Sequence, residues 1–228
     1  MAGSSGAVKV VDVLESASEP PDWALSWATA LAKEGLRAAI RVPSNEVNQV
    51  FWLESDSASF FLKIGPNLER EYRRLECLQG RLPTPCAVGF TAVAGIDALL
   101  QTAVEGDTLS RLSASLPARK IVTRLAAAIR CVHATGTADW PFGGTGLVLV
   151  HGDACLPNFL FDGPALSGYI DVGDMTLAEP EGDLAAAVWS LQYNLGAGHR
   201  LAFLREVRIV EADAAEVEPL HLVYHEAE

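Results

Sequence analysis

The chain has 228 residues, half of them apolar and one fifth charged. That balance excludes a disordered or collagen-like chain and gives length enough for one sizeable core or for two small lobes sharing a cleft. The formal charge of −12 argues against non-specific binding to nucleic acid, whose backbone phosphates it would repel, and suits a cationic small molecule.

Met1 to Gly6 is small and polar, with no basic segment leading into an apolar one, so no signal peptide is read there. The first predicted helix is Asp22 to Glu34. Pro20 and Pro21 precede it, Asp22 is placed to cap its exposed N–H groups, and Gly35 to end it. Trp23, Trp27 and Leu31 fall on one face and read as core. Arg37 to Val42 and Gln49 to Glu54 read as strands joined by the polar link 43–46, and Ser59 to Ile64 as a third strand with Lys63 inside it. Asn67 to Gln79 is a helix ended by Gly80 and Pro83. Ala87 to Val93 and Ala98 to Thr102 are two more strands, linked at Ala94-Gly95.

The pattern changes at Val104-Glu105-Gly106, which sets the expected lobe boundary: residues 1–104 form a small, mostly antiparallel sheet lobe, and residues 105–228 a mainly helical one. Pro117 to His133, Asp183 to Leu195 and Ala202 to Arg208 are the helices of the second lobe, with short strands in Leu147 to Asp174. Cys77, Cys86, Cys131 and Cys155 form no C-x-x-C pair, and no His cluster stands at zinc spacing. They read as buried thiols of a reducing cytosol. No apolar run approaches the roughly 18 residues that cross a bilayer. A soluble, cytoplasmic protein without a membrane partner is expected, its oligomeric state not legible.

The chemistry-bearing stretch is Leu147 to Asp174, reading LVLV-HGDACLPN-FLFDG-PALSG-YIDVGD. Two apolar, strand-like runs each deliver polar groups at their ends: Asp153 and Asn158 after the first, Asp171 after the second. Buried carboxylates are costly unless paired or metal-bound, and converging oxygen ligands suit Mg²⁺. Phosphoryl transfer needs a positioned acceptor hydroxyl, a carboxylate to take its proton, and cations on the phosphates. The H-x-D-x-x-x-x-N spacing of His151, Asp153 and Asn158, the later Asp171, Lys63 on the third strand and Glu71 on the next helix occur in the order that this chemistry uses in protein kinases. Taken singly, Lys63 reads as a snorkelling strand lysine, Glu71 as a solvated helix charge and Phe61 equally as core; their joint order lifts them.

VHGDACLPN with SGYIDVGD downstream, FLKIG, LEREYRRLECLQGRLPTP and LLQTAVEG resemble the aminoglycoside O-phosphotransferases, most of all those that modify the 3′-hydroxyl. The resemblance implies a two-lobed, kinase-like α+β fold that moves the γ-phosphoryl of ATP, with Mg²⁺, to a hydroxyl of a cationic antibiotic. Asp153 is then the catalytic carboxylate and an acceptor contact, and Asn158 and Asp171 the metal ligands. Lys63, held by Glu71, touches the α/β-phosphates, and Phe61 lies against adenine. Thr102 and Val104 offer backbone groups to its edge, with Ile170 also at the nucleotide and the Ser44-Asn45 turn over the phosphates. Glu226 and Glu228 read either as solvated tail charges or as ligands for ammonium groups. Asp183 reads as a helix cap or as a support of the catalytic loop, and His151 as a brace of its backbone. Two departures stand out. Relatives carry a helical insert after the helix that ends here near His133, which this chain lacks, and Asp174 stands where close relatives often have Arg. The rival readings are a kinase of the same fold acting on another small hydroxylated molecule, and a catalytically silent nucleotide-binding relative.

Overall fold

The structure, a computed structural model, describes residues 19–33, 35–36, 38–42 and 47–207. Ser44, Asn45, Glu226 and Glu228 lie outside these residues. The chain forms two compact units, one drawn from 1–76 and 86–103, the other from 77–85 and 104–228.

In the first unit, strands β1 (Ala38–Val42), β2 (Gln49–Glu54), β3 (Ser59–Gly65), β4 (Ala87–Val93) and β5 (Ile96–Thr102) form an antiparallel sheet in the order β1-β2-β3-β5-β4. Side chains alternate across a strand, so its apolar residues sort by face. Phe51 and Leu53, then Phe60, Leu62 and Ile64, then Ala98 and Leu100 are all buried in one cluster with Ala24 and Ala28 of helix α1 (Asp22–Ala32). Each such large aliphatic side chain contributes about 2 kcal/mol on removal from water. Trp23, Trp27 and Leu31 pack against the edge of this cluster. The opposite face carries Trp52, Phe61 and Gln101 in one cross-strand row and Val50, Lys63 and Leu99 in the next.

Two local expectations are corrected here. Asp22 does not cap α1: the cap position is Pro21, no side-chain bond is made, and Asp22 sits in the first turn, where its charge meets the positive end of the helix dipole. The helix stops at Ala32, because Lys33 already takes the left-handed conformation (φ 59°) expected of Gly35. The β4–β5 link is tight, with Ala94 (φ 52°) and Gly95 (φ 81°) both left-handed, the backbone of a two-residue hairpin.

In the second unit, β6 (Asp107–Thr108), β8 (Phe159–Asp162) and β9 (Ala165–Tyr169) form one small sheet, and β7 (Val148–Val150) pairs with β10 (Thr176–Ala178). Helices α3 (Leu109–Leu112), α4 (Ala118–His133), α5 (Glu181–Leu195) and α6 (Arg200–Glu206) pack around them. Ile121, Leu125, Ile129 and Val132 make the buried stripe of α4 at helical spacing. Tyr169 is fully buried and donates its hydroxyl to the Ala128 carbonyl at 2.9 Å, which anchors the end of β9 to α4. The thiols also differ from expectation. Cys155 alone is buried, Cys77 is half-buried, and Cys86 and Cys131 are exposed. No described helix is long and apolar enough to cross a membrane.

Candidate active site

The first unit supplies an ion pair. Lys63 Nζ lies 2.7 and 2.8 Å from the two carboxylate oxygens of Glu71, and both side chains are buried. Holding a strand lysine against a glutamate eight residues later requires an abrupt strand-to-helix turn. Three features build it. A Cβ at Gly65 would meet Asn48 Oδ1 at 2.0 Å and the Val47 carbonyl oxygen at 3.0 Å, so any other residue would force the Asn48 side chain aside. Asn67 adopts φ 61°, which asparagine tolerates better than most residues. Helix α2 (Leu68–Leu78) then begins with the Leu68 N–H donating to Asp97 Oδ2 at 3.0 Å. Asp97 stands on β5, so a distant strand satisfies the first turn of α2. Local reading of the sequence could not find it, because capping signals are sought beside the helix.

Phe61 lies two residues before Lys63 on the same sheet face, half-buried, with the Trp52 ring edge-on at 5.1 Å. The Thr102 N–H donates to the Cys86 carbonyl and its hydroxyl accepts from the Cys86 N–H, which fixes the end of β5. Val104 falls in the second unit, where its side chain packs against Gly168: a Cβ there would lie 2.5 Å from Val104 Cγ1.

The second unit supplies the loop from His151 to Asn158. Asp183 organises it. Asp183 Oδ2 accepts the His151 N–H at 2.8 Å and Oδ1 accepts the Gly152 N–H at 2.9 Å, while His133 Nε2 lies 2.9 Å from Oδ2. The helix begins at Glu181 and Asp183 makes no capping bond, so of its two readings the support of the loop is the one observed. One helical face carries the whole brace. Ser190, seven residues on, accepts the Leu156 N–H on its hydroxyl at 2.9 Å, and the intervening alanines Ala185–Ala187 leave room for close approach. His133, the partner of Asp183, is a residue of this brace that sequence reasoning missed. Its only signal is a histidine in the last turn of a helix, which reads first as a dipole contact.

His151 is fully buried beside Phe159 and Tyr169, with ring centroids 5.3 and 6.5 Å away. Nδ1 lies 3.4 Å from the Asp153 N–H, and Nε2 lies 3.2 Å from the Ile170 carbonyl. A carbonyl only accepts, so the proton sits on Nε2 and the ring is neutral. Burial pushes its pKa below the ordinary 6.5, against the partial opposition of the Asp183, Asp153 and Asp171 carboxylates. The neutral ring therefore ties the residue that precedes Asp171 to the backbone of Asp153.

Asn158 ties the same two segments again. Its Nδ2 donates to Asp153 Oδ2 at 2.8 Å and to the Asp153 carbonyl at 2.9 Å, and its own carbonyl accepts the Ile170 N–H at 3.0 Å. Asp153, Asn158 and the start of Asp171 thus share one corner of the unit. Asp171 is exposed and left-handed (φ 58°), a turn that re-aims the chain after β9. Gly152 (φ 85°) lets Asp174 pass: a Cβ on residue 152 would lie 2.7 Å from the Asp174 carbonyl oxygen. The donor chemistry fits Mg²⁺. The amide nitrogen of Asn158 is committed to Asp153, which leaves its side-chain oxygen for a cation, and the Asp171 carboxylate would offer a second hard oxygen. Two protein oxygens, with phosphates and water completing the shell, is the usual way in which this ion is held.

With that geometry in hand, comparison with known proteins gives a consistent answer. The model of the phosphotransferase enzyme family matches residues 137–220, which include the His151–Asn158 loop, Asp171 and Asp183. An aminoglycoside 3′-phosphotransferase from Niallia circulans is 26% identical over a match covering 60% of this chain and 71% of that protein. The solved aminoglycoside phosphotransferase APH(3″)-Id from Streptomyces rimosus superposes with a TM-score of 0.68, at 22% identity, over 88% of this chain and 99% of its own. An aminoglycoside-3′-phosphotransferase of type VIII gives a TM-score of 0.66 at 21% identity, over 86% and 98% of the two chains. The fold is that of the aminoglycoside phosphotransferases. The chain resembles these phosphotransferases, the 3′ type among them, as the motifs in the sequence imply. The family match begins after Lys63 and Glu71, so likeness of fold, not the family model, extends the resemblance to the first unit.

Proposed function

We propose that this chain transfers the γ-phosphoryl group of ATP to a hydroxyl of an aminoglycoside in the cytoplasm. The observation that carries the reading is the hold of Asn158 on Asp153, made through both the carboxylate and the backbone carbonyl, within a loop clamped by Asp183. The likeness to aminoglycoside phosphotransferases supports it, and one solved relative, APH(3″)-Id, is in complex with ADP and streptomycin.

In this reading the bond between the γ-phosphorus and the β,γ-bridging oxygen breaks, and a new bond forms from phosphorus to the acceptor oxygen. Asp153 orients the acceptor hydroxyl and takes its proton, and ADP leaves. Asn158 fixes the rotamer of Asp153, so no orientation has to be found at the moment of reaction. Lys63 would neutralise the α/β-phosphates, and Glu71 holds its ammonium in place without removing its charge. Phe61 would cover one face of the adenine, with Thr102, Val104 and Ile170 around the base. Asn158 Oδ1 and Asp171 would hold Mg²⁺, which when bound offsets the negative charge of the phosphates. The first lobe, 1–104, would carry the nucleotide contacts, and the second, 105–228, the catalytic and acceptor groups. The net charge of −12 favours polyammonium acceptors.

One observation favours a broader acceptor range. The segment between α4 and β7, residues 134–147, contains no helix, so nothing there builds the insert found in relatives. An ATP-consumption assay against a panel of aminoglycosides and other small alcohols tests both readings. Turnover with aminoglycosides is the expected result. Turnover confined to other alcohols would transfer the activity to the second reading, and none with any acceptor would leave a silent nucleotide binder.

A further inference from the structure

The face of α5 that braces the His151–Asn158 loop continues beyond it. Asp183 holds the His151 and Gly152 N–H groups, Cys155 Sγ lies 3.9 Å from the Ala186 carbonyl, and Ser190 accepts the Leu156 N–H. These positions are three and four residues apart, the spacing of one helical stripe, and the next step of that stripe is Tyr193. The loop does not continue along it, because the chain turns through Leu156–Asn158 into β8. Tyr193 is 78% exposed, and its ring stacks on that of Trp189, with centroids 5.4 Å apart and planes 16° from parallel. The α5–α6 turn that follows is made of Gly196, Ala197 and Gly198, and a Cβ at either glycine would meet nothing within 4 Å. A pair of stacked aromatic rings thus meets water at the open end of the stripe that braces the loop of Asp153. The helix does not require it, since α5 is held by its buried residues, Leu184, Val188 and Leu191 among them.

From this we infer that Trp189 and Tyr193 form a platform for the acceptor, on which one ring of an ammonium-bearing sugar lies against the face of Tyr193. The inference rests on the proposed phosphotransfer and names a surface that holds its acceptor. An aromatic face is the negative end of a quadrupole, and the C–H bonds on one face of a pyranose ring present weak positive charge to it. An ammonium group on the same sugar adds a cation–π attraction. Stacking on Trp189 fixes the tilt of Tyr193, so little order has to be gained on binding. The net charge of −12 draws the same cations at longer range. Reach agrees with this. Asp153 stands between the residues tied to Asp183 and the one tied to Ala186. At about 1.5 Å per residue, Tyr193 lies about 10 to 15 Å further along the helix, the reach of a molecule of two or three sugar rings. One ring on the platform then leaves a hydroxyl of another ring to Asp153.

The test is steady-state phosphorylation by the full chain with ATP and Mg²⁺, with kanamycin and streptomycin among the aminoglycosides tried as acceptors. Tyr193→Ala removes an exposed ring. It is expected to raise the acceptor KM about tenfold, the loss of one stacking and cation–π contact, while kcat and the KM of ATP move by less than about twofold. Tyr193→Phe keeps the ring face and should return the acceptor KM to within about twofold of the unaltered chain. An acceptor KM unchanged in Tyr193→Ala overturns the inference and leaves the phosphotransfer reading standing. So does a Tyr193→Phe as impaired as Tyr193→Ala, since the ring face would then not be what the acceptor uses. A Tyr193→Ala that fails to fold, or that loses kcat and ATP affinity equally with acceptor affinity, also overturns it and assigns the rings to the fold alone. Turnover confined to alcohols without an ammonium group does the same to the choice of ligand. Absence of turnover with any acceptor by the unaltered chain overturns the phosphotransfer reading itself, and the inference with it.

Discussion

A neutral imidazole at His151 joins the backbone of Asp153 to the carbonyl just before Asp171. Protonation would place a second hydrogen on Nδ1, turned toward the Asp153 N–H, and break that link. The folded chain therefore resists a proton that the unfolded chain accepts. Since burial sets the folded pKa below 6.5, the unfolded state binds more protons as pH falls through 6.5, and stability falls with it; the full contribution is present above that pH. Urea midpoints measured between about pH 8 and about pH 5 should drop toward the acid end, and His151→Gln should flatten that dependence. An equal slope in the variant would remove His151 from this role. At this scale much was legible. The spacing of His151, Asp153, Asn158 and Asp171 named the cluster, and Lys63 with Glu71 named an ion pair that is formed at 2.7 Å. His133 was not legible, because a histidine at a helix end carries no motif. Its meaning comes from a partner 50 residues away.

Helices α2 and α5 convert these residues into fixed positions. α5 presents Asp183 and Ser190 to the loop from one face, two turns apart. α2 presents Glu71 to Lys63, and its first turn is held by Asp97 from β5. Removing that bond should loosen the start of the helix three residues before Glu71. Asp97→Ala is expected to cost about 1 kcal/mol, the usual loss on removing a helix cap, and to weaken nucleotide binding severalfold. Chemical denaturation and nucleotide titration measure the two effects. A stability loss with unaltered nucleotide affinity would show that the ion pair does not depend on this cap. Element types were read well from periodicity, while ends were not. α1 ends early at Lys33 and α5 starts early at Glu181, because backbone conformation and tertiary hydrogen bonds decide the last turn. The Asp183 carboxylate is the clearest case: a residue suited to a cap serves instead a loop 31 residues behind it.

At the scale of the whole molecule, each unit holds a polar group of its own. The first holds a buried lysine–glutamate pair, its lysine on the sheet face that carries Phe61, and the second holds Asp153 and Asn158 on a braced loop. The order of motifs along the chain was enough to anticipate the fold, which solved aminoglycoside phosphotransferases share at TM-scores of 0.66 and 0.68. Acceptor choice was less legible, because it rests on surfaces outside these motifs. The central claim is that Asp153 handles the acceptor hydroxyl while other groups handle the nucleotide. It is tested by mass spectrometry of an aminoglycoside panel incubated with Mg²⁺ and ATP, using the unaltered chain and Asp153→Ala, with ADP binding followed in parallel. The account predicts a mass gain of one phosphoryl group with the unaltered chain, none with the variant, and similar ADP affinity in both. Phosphorylation by Asp153→Ala at the unaltered rate would contradict it.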